Sequence, residues 1–114
     1  MKNKPHLDEE ALAELRDVME GEFKLLIQTF ISDSLERIAS LKAALNAGDA
    51  NAFCNMVHSL KGSSINIGAP RLGTICQAAE MAGKAQELNQ ASILLIAIET
   101  EFQIVSDRLR ALLI

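Results

Sequence analysis

The chain has 114 residues and a formal net charge of −4; 49% of it is apolar, with no tryptophan or tyrosine and only four phenylalanines. That length supplies one core and is short for two, and a core of Leu, Ile, Ala and Met suits helix packing better than a sheet. The negative balance argues against nucleic acid and anionic membrane as partners, because both call for a basic surface.

Asp8 can cap a first helix, with Glu9 and Glu10 in the first turn, where negative charge suits the helix dipole. Leu12, Leu15, Val18 and Met19 carry that helix at helical spacing to near Gly21. A long second helix follows: Phe23, Ile27, Phe30, Ser34, Ile38, Leu41 and Leu45 recur in steps of four and three, and Leu26 and Ile31 widen the stripe. Gly48 stands where a C-terminal cap belongs, and Asp49 can cap the next helix. Phe53, Val57, Leu60, Ser64 and Ile67 form the third stripe, closed by Gly68. Pro70 fits a first helical turn, and Leu72, Ile75, Ala79 and Ala82 (or Met81) continue to about Gln86. Asn89 can cap the last helix, whose stripe is Leu95, Ile98, Phe102, Val105, Leu109 and Leu112.

Short connections between amphipathic helices make antiparallel neighbours. The expected fold is all-α: an antiparallel up-down four-helix bundle with a short additional N-terminal helix. One domain spans 1–114, with residues 1–7 a short tail. No apolar run approaches the roughly 18–20 residues of a membrane span, and the start from Met1 to His6 leads into acidic residues instead of a signal-peptide core. A cytoplasmic protein is expected. Cys54 and Cys76 are too few for a disulfide framework and are read as reduced and half-buried.

The segment His58-Ser59-Leu60-Lys61-Gly62-Ser63-Ser64 carries the chemistry. Residues three and four apart are neighbours on a helix, so His58 sits beside a fixed cation, Lys61, and a position with no side chain, Gly62. Glycine inside a helix costs roughly 0.5–1 kcal/mol against alanine. The compensation expected here is access for another macromolecule to the imidazole. At about 100° per residue, Cys54, His58, Lys61, Gly62 and Ile65 fall outside the core stripe, which puts His58 on the flank of the bundle.

From His58 to Gly68 the run H-S-L-K-G-S-S-I-N-I-G resembles the signature of histidine-containing phosphotransfer (HPt) domains: a histidine, an apolar residue, Lys-Gly, two small residues and a later glycine. The resemblance implies a four-helix bundle that carries a phosphoryl group on His58 between receiver-domain aspartates of a multistep phosphorelay. Lys61 would assist the phosphoryl group electrostatically and Gly62 would leave room for the receiver. A polar residue on the next helix would hold the other imidazole nitrogen, with Glu80 the first choice and Gln77 the second. Family members can have glutamine there, so a carboxylate changes the tuning of the imidazole without forbidding its chemistry. The implied partners are response-regulator receiver domains and hybrid sensor histidine kinases. Mg²⁺ would belong to the receiver, with no cofactor and no metal in this chain, which would be a carrier, not an autonomous kinase or phosphatase, and a monomer. Ile31, Leu35, Cys54 and Ile65 are the expected apolar surround of the docking site, each with a reading as an edge-of-core residue.

Two other readings compete. Cys54 with His58, and Cys76 with Glu80, are i, i+4 pairs on consecutive helices and offer a Cys₂-His-carboxylate zinc site; Lys61 beside it opposes a cation. A helical interaction module with no chemistry is the second.

Overall fold

Five α-helices and no strand make up residues 4–114, the part of the chain described by the structure, a computed structural model. The Asp8 carboxylate accepts from the Ala11 N–H at 3.1 Å and opens α1 (Glu9–Met19). A 3₁₀ turn at Glu20–Glu22 leads into α2 (Phe23–Asn46), which ends two residues before Gly48, where φ is +69°. Asp49 then accepts from the Ala52 N–H at 3.0 Å and starts α3 (Ala50–Ile67). At Gly68 φ is +89°, a left-handed conformation that a Cβ would strain, and the chain turns there into α4 (Pro70–Lys84) with Pro70 in its first turn. The last helix is α5 (Leu88–Ala111).

α2, α3, α4 and α5 pack in a closed ring, each against its two neighbours, with α1 against the start of α2. The ring encloses Ile27, Leu41, Phe53, Val57, Leu60, Leu72, Ile98, Val105 and Leu109, all fully buried. Burying each such side chain contributes about 1.5–3 kcal/mol, so the stripes are what hold the helices together. Phe30 and Phe102 join α2 to α5 with their ring centroids 6.2 Å apart.

α3 and α4 approach most closely, because small residues line the seam. A Cβ on Gly83 would stand 3.1 Å from Phe53 Cδ1 and 3.4 Å from Cys54 Cβ; one on Gly73 would stand 2.9 Å from Ile65 Cγ1. This seam sets the distance from α4 side chains to the outer edge of α3.

Several boundaries and faces differ from the sequence reading. Val18 is 83% exposed, since α1 lies across the end of the bundle and offers it only Leu12 fully, with Leu15 and Met19 half-buried. Leu45 is half-buried and Ala44 takes its place in the core. A near-heptad stripe drifts by about 20° per heptad on a straight helix, which is enough to rotate it off the interface. α4 ends at Lys84, because Gln86 adopts φ +58° and the Glu87 N–H returns to the Ala82 carbonyl at 2.9 Å. α5 consequently starts at Leu88, with Glu87 as N-cap and Asn89 already exposed in its first turn. Of the two cysteines, both free, Cys54 is half-buried as expected while Cys76 is fully buried.

The N-terminal segment is not a loose tail over its described residues. Leu7 is buried, the His6 ring pairs with the buried Glu101 at 2.6 Å, and Arg71 donates to the Lys4 carbonyl at 2.7 Å. Residues 1–3 of the expected tail lie outside the described residues.

Candidate functional site

α3 runs unbroken through Gly62 and carries His58 on its solvent side, with the His58 side chain 67% exposed. From α4, Glu80 reaches across the seam. Its Oε2 lies 2.8 Å from His58 Nδ1 and its Oε1 lies 2.8 Å from Lys61 Nζ. Glu80 is itself buried. Lys61 also donates to Gln77 Oε1 at 2.9 Å, and Lys84 Nζ stands 3.8 Å from Glu80 Oε2.

These contacts determine the state of the ring. The Lys61 ammonium hydrogen-bonded to Glu80 holds its carboxyl below the usual carboxylate range; burial opposes the shift, and the His58 hydrogen bond adds to it. An ionised carboxylate only accepts, so His58 Nδ1–H is the donor to Oε2. In the neutral ring the lone pair then lies on Nε2, in a side chain that is 67% exposed. A second carboxylate oxygen bound to Lys61 prevents Glu80 from turning away, which fixes the tautomer and the plane of the imidazole together.

Gly62 follows His58 by one helical turn, and a Cβ built there meets nothing within 4 Å. Nothing in the packing of the molecule therefore calls for glycine at 62, in contrast to Gly83. Ile65, on the same outer face of α3, is 58% exposed.

The structure thus gathers His58, Lys61, Gly62, Gln77 and Glu80 in one place. Glu80, and not Gln77, holds Nδ1; Gln77 holds Lys61 instead. Cys54 sits one turn before His58 and faces the seam, its Sγ 3.8 Å from the Glu80 carbonyl. Ile31 and Leu35 do not join the site. Arg37 of α2 donates to Ser59 of α3 at 2.9 Å, whereas Lys42 of α2 pairs with Glu99 of α5 at 2.7 Å. At about 100° per residue, Ile31 and Leu35 fall on the Lys42 side, away from α3. Ile31 is moreover buried, and Leu35, 53% exposed, faces solvent beside α5. Neither geometry nor charge supports the zinc reading. No metal-holding group of three or more His, Cys, Asp or Glu occurs among the described residues, and burial pushes the Cys76 thiol up to about 12, against the thiolate a metal needs. The sequence reading missed Lys84, although Glu80 and Lys84 stand in the i, i+4 relation that makes neighbours on a helix.

A helical bundle that holds one imidazole nitrogen from behind and leaves the other open defines a class: a protein built to present a histidine to a macromolecular visitor. The family model described as the Hpt domain matches residues 25–111, and the chain belongs to that family. Among solved structures it is similar to histidine-containing phosphotransfer protein B (HptB) from Pseudomonas aeruginosa, with 44% identity, a TM-score of 0.91, and 96% of this chain and 95% of that chain covered. A putative histidine-containing phosphotransfer protein from rice shares the fold at 19% identity and TM-score 0.86, over 95% of this chain and 81% of that one. The maize protein ZmHP2 does so at 22% identity and TM-score 0.86, over 95% and 89%. Comparison with curated proteins gives no match.

Proposed function

We propose that this phosphotransfer protein carries a phosphoryl group on His58 Nε2, taken from a receiver-domain aspartate and passed to another receiver domain. The observation that carries the reading is the exposed imidazole whose Nδ1 is bound to Glu80 at 2.8 Å while open space lies over Gly62.

The chemistry balances without a further group from this chain. The Nε2 lone pair attacks phosphorus, the P–O bond to the aspartyl carboxyl breaks, and its electron pair returns to the receiver as carboxylate. Nδ1–H stays on the ring, bonded to Glu80, which offsets the positive charge the ring acquires. Positioning and charge neutralisation are most of what phosphoryl transfer requires, and a histidine intermediate divides one transfer into two. The receiver supplies the acceptor or donor aspartate and the Mg²⁺. In this reading the protein has no kinase or phosphatase activity of its own and takes its phosphoryl group from hybrid sensor histidine kinases through their receiver domains. It acts as a cytoplasmic monomer, in keeping with a net charge of −4 and with no helix, among the described residues, long and apolar enough to cross a membrane.

Incubation with a ³²P-labelled receiver domain tests this. Wild type should acquire acid-labile, alkali-stable label, and His58→Gln should acquire none while keeping the helical circular dichroism of wild type. Label that persists in the variant, or no label from any of a panel of receivers, overturns the assignment.

A further inference from the structure

Two lysines stand at the His58–Glu80 pair, and they differ in what they are free to do. Lys61 Nζ is 2.8 Å from Glu80 Oε1 and 2.9 Å from Gln77 Oε1, with its side chain 20% exposed. Two of its three donors are thereby used. Withdrawing it would leave the buried Glu80 carboxylate without its closest cation, a costly change. Lys84, in the last turn of α4, is 69% exposed and stands 3.8 Å from Glu80 Oε2, beyond hydrogen-bond length. That oxygen is the one bound to His58 Nδ1.

We propose that Lys84 is the side chain that neutralises the phosphoryl group on His58, and that Lys61 is a positioning residue that acts through Glu80. The inference rests on phosphorylation of His58 and assigns the two cations separate tasks. When the phosphoryl group arrives, it brings nearly two negative charges to the open side of a ring already backed by a carboxylate. Lys84 loses only a long, solvent-screened contact by leaving Oε2, and its flexible stem lets the ammonium swing to the phosphoryl oxygens. Lys61 stays on Glu80, so the ring keeps its tautomer during loading and unloading. No bond is made or broken by either lysine; the ammonium of Lys84 donates hydrogen bonds to oxygens that gain charge as the P–O bond to the donor breaks.

The test uses the full chain and a labelled receiver, with Lys84→Ala, Lys84→Arg and Lys61→Ala beside wild type. Two readouts are taken: the rate of label uptake, and the ¹⁵N chemical shifts of the His58 ring in the unphosphorylated protein, which report the tautomer. Lys84→Ala should slow uptake roughly ten-fold, less than the 10²–10³ of an enclosed oxyanion donor because Lys84 is exposed. Its His58 ring shifts should match wild type, and Lys84→Arg should recover most of the rate. Lys61→Ala should slow uptake and also move the ring shifts, as Glu80 loses its anchor. Uptake by Lys84→Ala at the wild-type rate overturns the proposal, as does a slowed Lys61→Ala with unmoved ring shifts. Absence of label in wild type itself would instead count against His58 phosphorylation, so the two failures are distinct.

Discussion

Gly62 and Glu80 are each a single side-chain decision with a measurable consequence. Because a Cβ at 62 meets nothing within 4 Å, Gly62→Gln should stabilise α3 by about 0.5–1 kcal/mol through helix propensity. The same change should impair uptake from a receiver, and a urea midpoint that rises while transfer stays at the wild-type rate would remove the access argument. Glu80 makes a pH prediction. Its folded carboxyl lies below the ordinary value of 4.5, with the Lys61 hydrogen bond the first cause. The stability this contributes is complete above that ordinary value and is lost as pH falls through the folded one. Urea unfolding of wild type and Glu80→Gln should therefore show wild type's relative stability constant above about pH 4.5 and falling as the pH drops below it. A pH-independent difference would show that the ion pair contributes nothing. His58, Lys61 and Gly62 were legible in the sequence, because three- and four-residue spacing on one helix is local information. The partner of Nδ1 was implied only by the family resemblance, with Glu80 ahead of Gln77, and it is Glu80 that stands 2.8 Å from Nδ1.

At the scale of elements, the α3–α4 seam governs the site. Phe53, under Gly83, is fully buried and cannot give way, whereas Ile65, over Gly73, is 58% exposed and can rotate. Gly83→Ala should destabilise by about 1–3 kcal/mol, the usual cost of overpacking. It should also slow transfer, by moving Glu80 away from His58. Gly73→Ala should cost less, since the propensity gain offsets the displaced Ile65. Thermal unfolding compares the two, and equal losses would contradict this account of the seam. The caps at Asp8, Asp49 and Gly68 were readable because capping depends on neighbouring residues alone. The end of α4 was not: the reversal at Gln86 places a non-glycine residue at positive φ, and that choice comes from packing α5 back against α4. That Ile31 and Leu35 lie away from His58 was hidden for a related reason. Their helix face was clear, but which neighbour occupies each side of α2 is a property of the ring of helices.

For the whole molecule, the N-terminal segment closes the bundle through residues 95 positions apart. His6 meets the buried Glu101 at 2.6 Å, and Arg71 holds the Lys4 carbonyl. Removing one partner strands the other. His6→Ala should cost about 1–3 kcal/mol, while the double variant His6→Ala/Glu101→Leu should cost less than the single one. Urea midpoints of the two variants decide it, and a milder single variant would show that the pair is not what docks the segment.

Periodicity, caps and the eleven-residue run at His58 determined by themselves an all-helical bundle, its helix order and the presented histidine, because each depends on spacing within one helix. The tertiary structure alone decided which oxygen holds Nδ1, which lysine is hydrogen-bonded to Glu80 and which stands beyond that length, on which side of α2 Ile31 and Leu35 lie, and that the segment before α1 is docked. Those are contacts between helices, and their geometry depends on how closely α3 and α4 approach and in what order the helices surround the core.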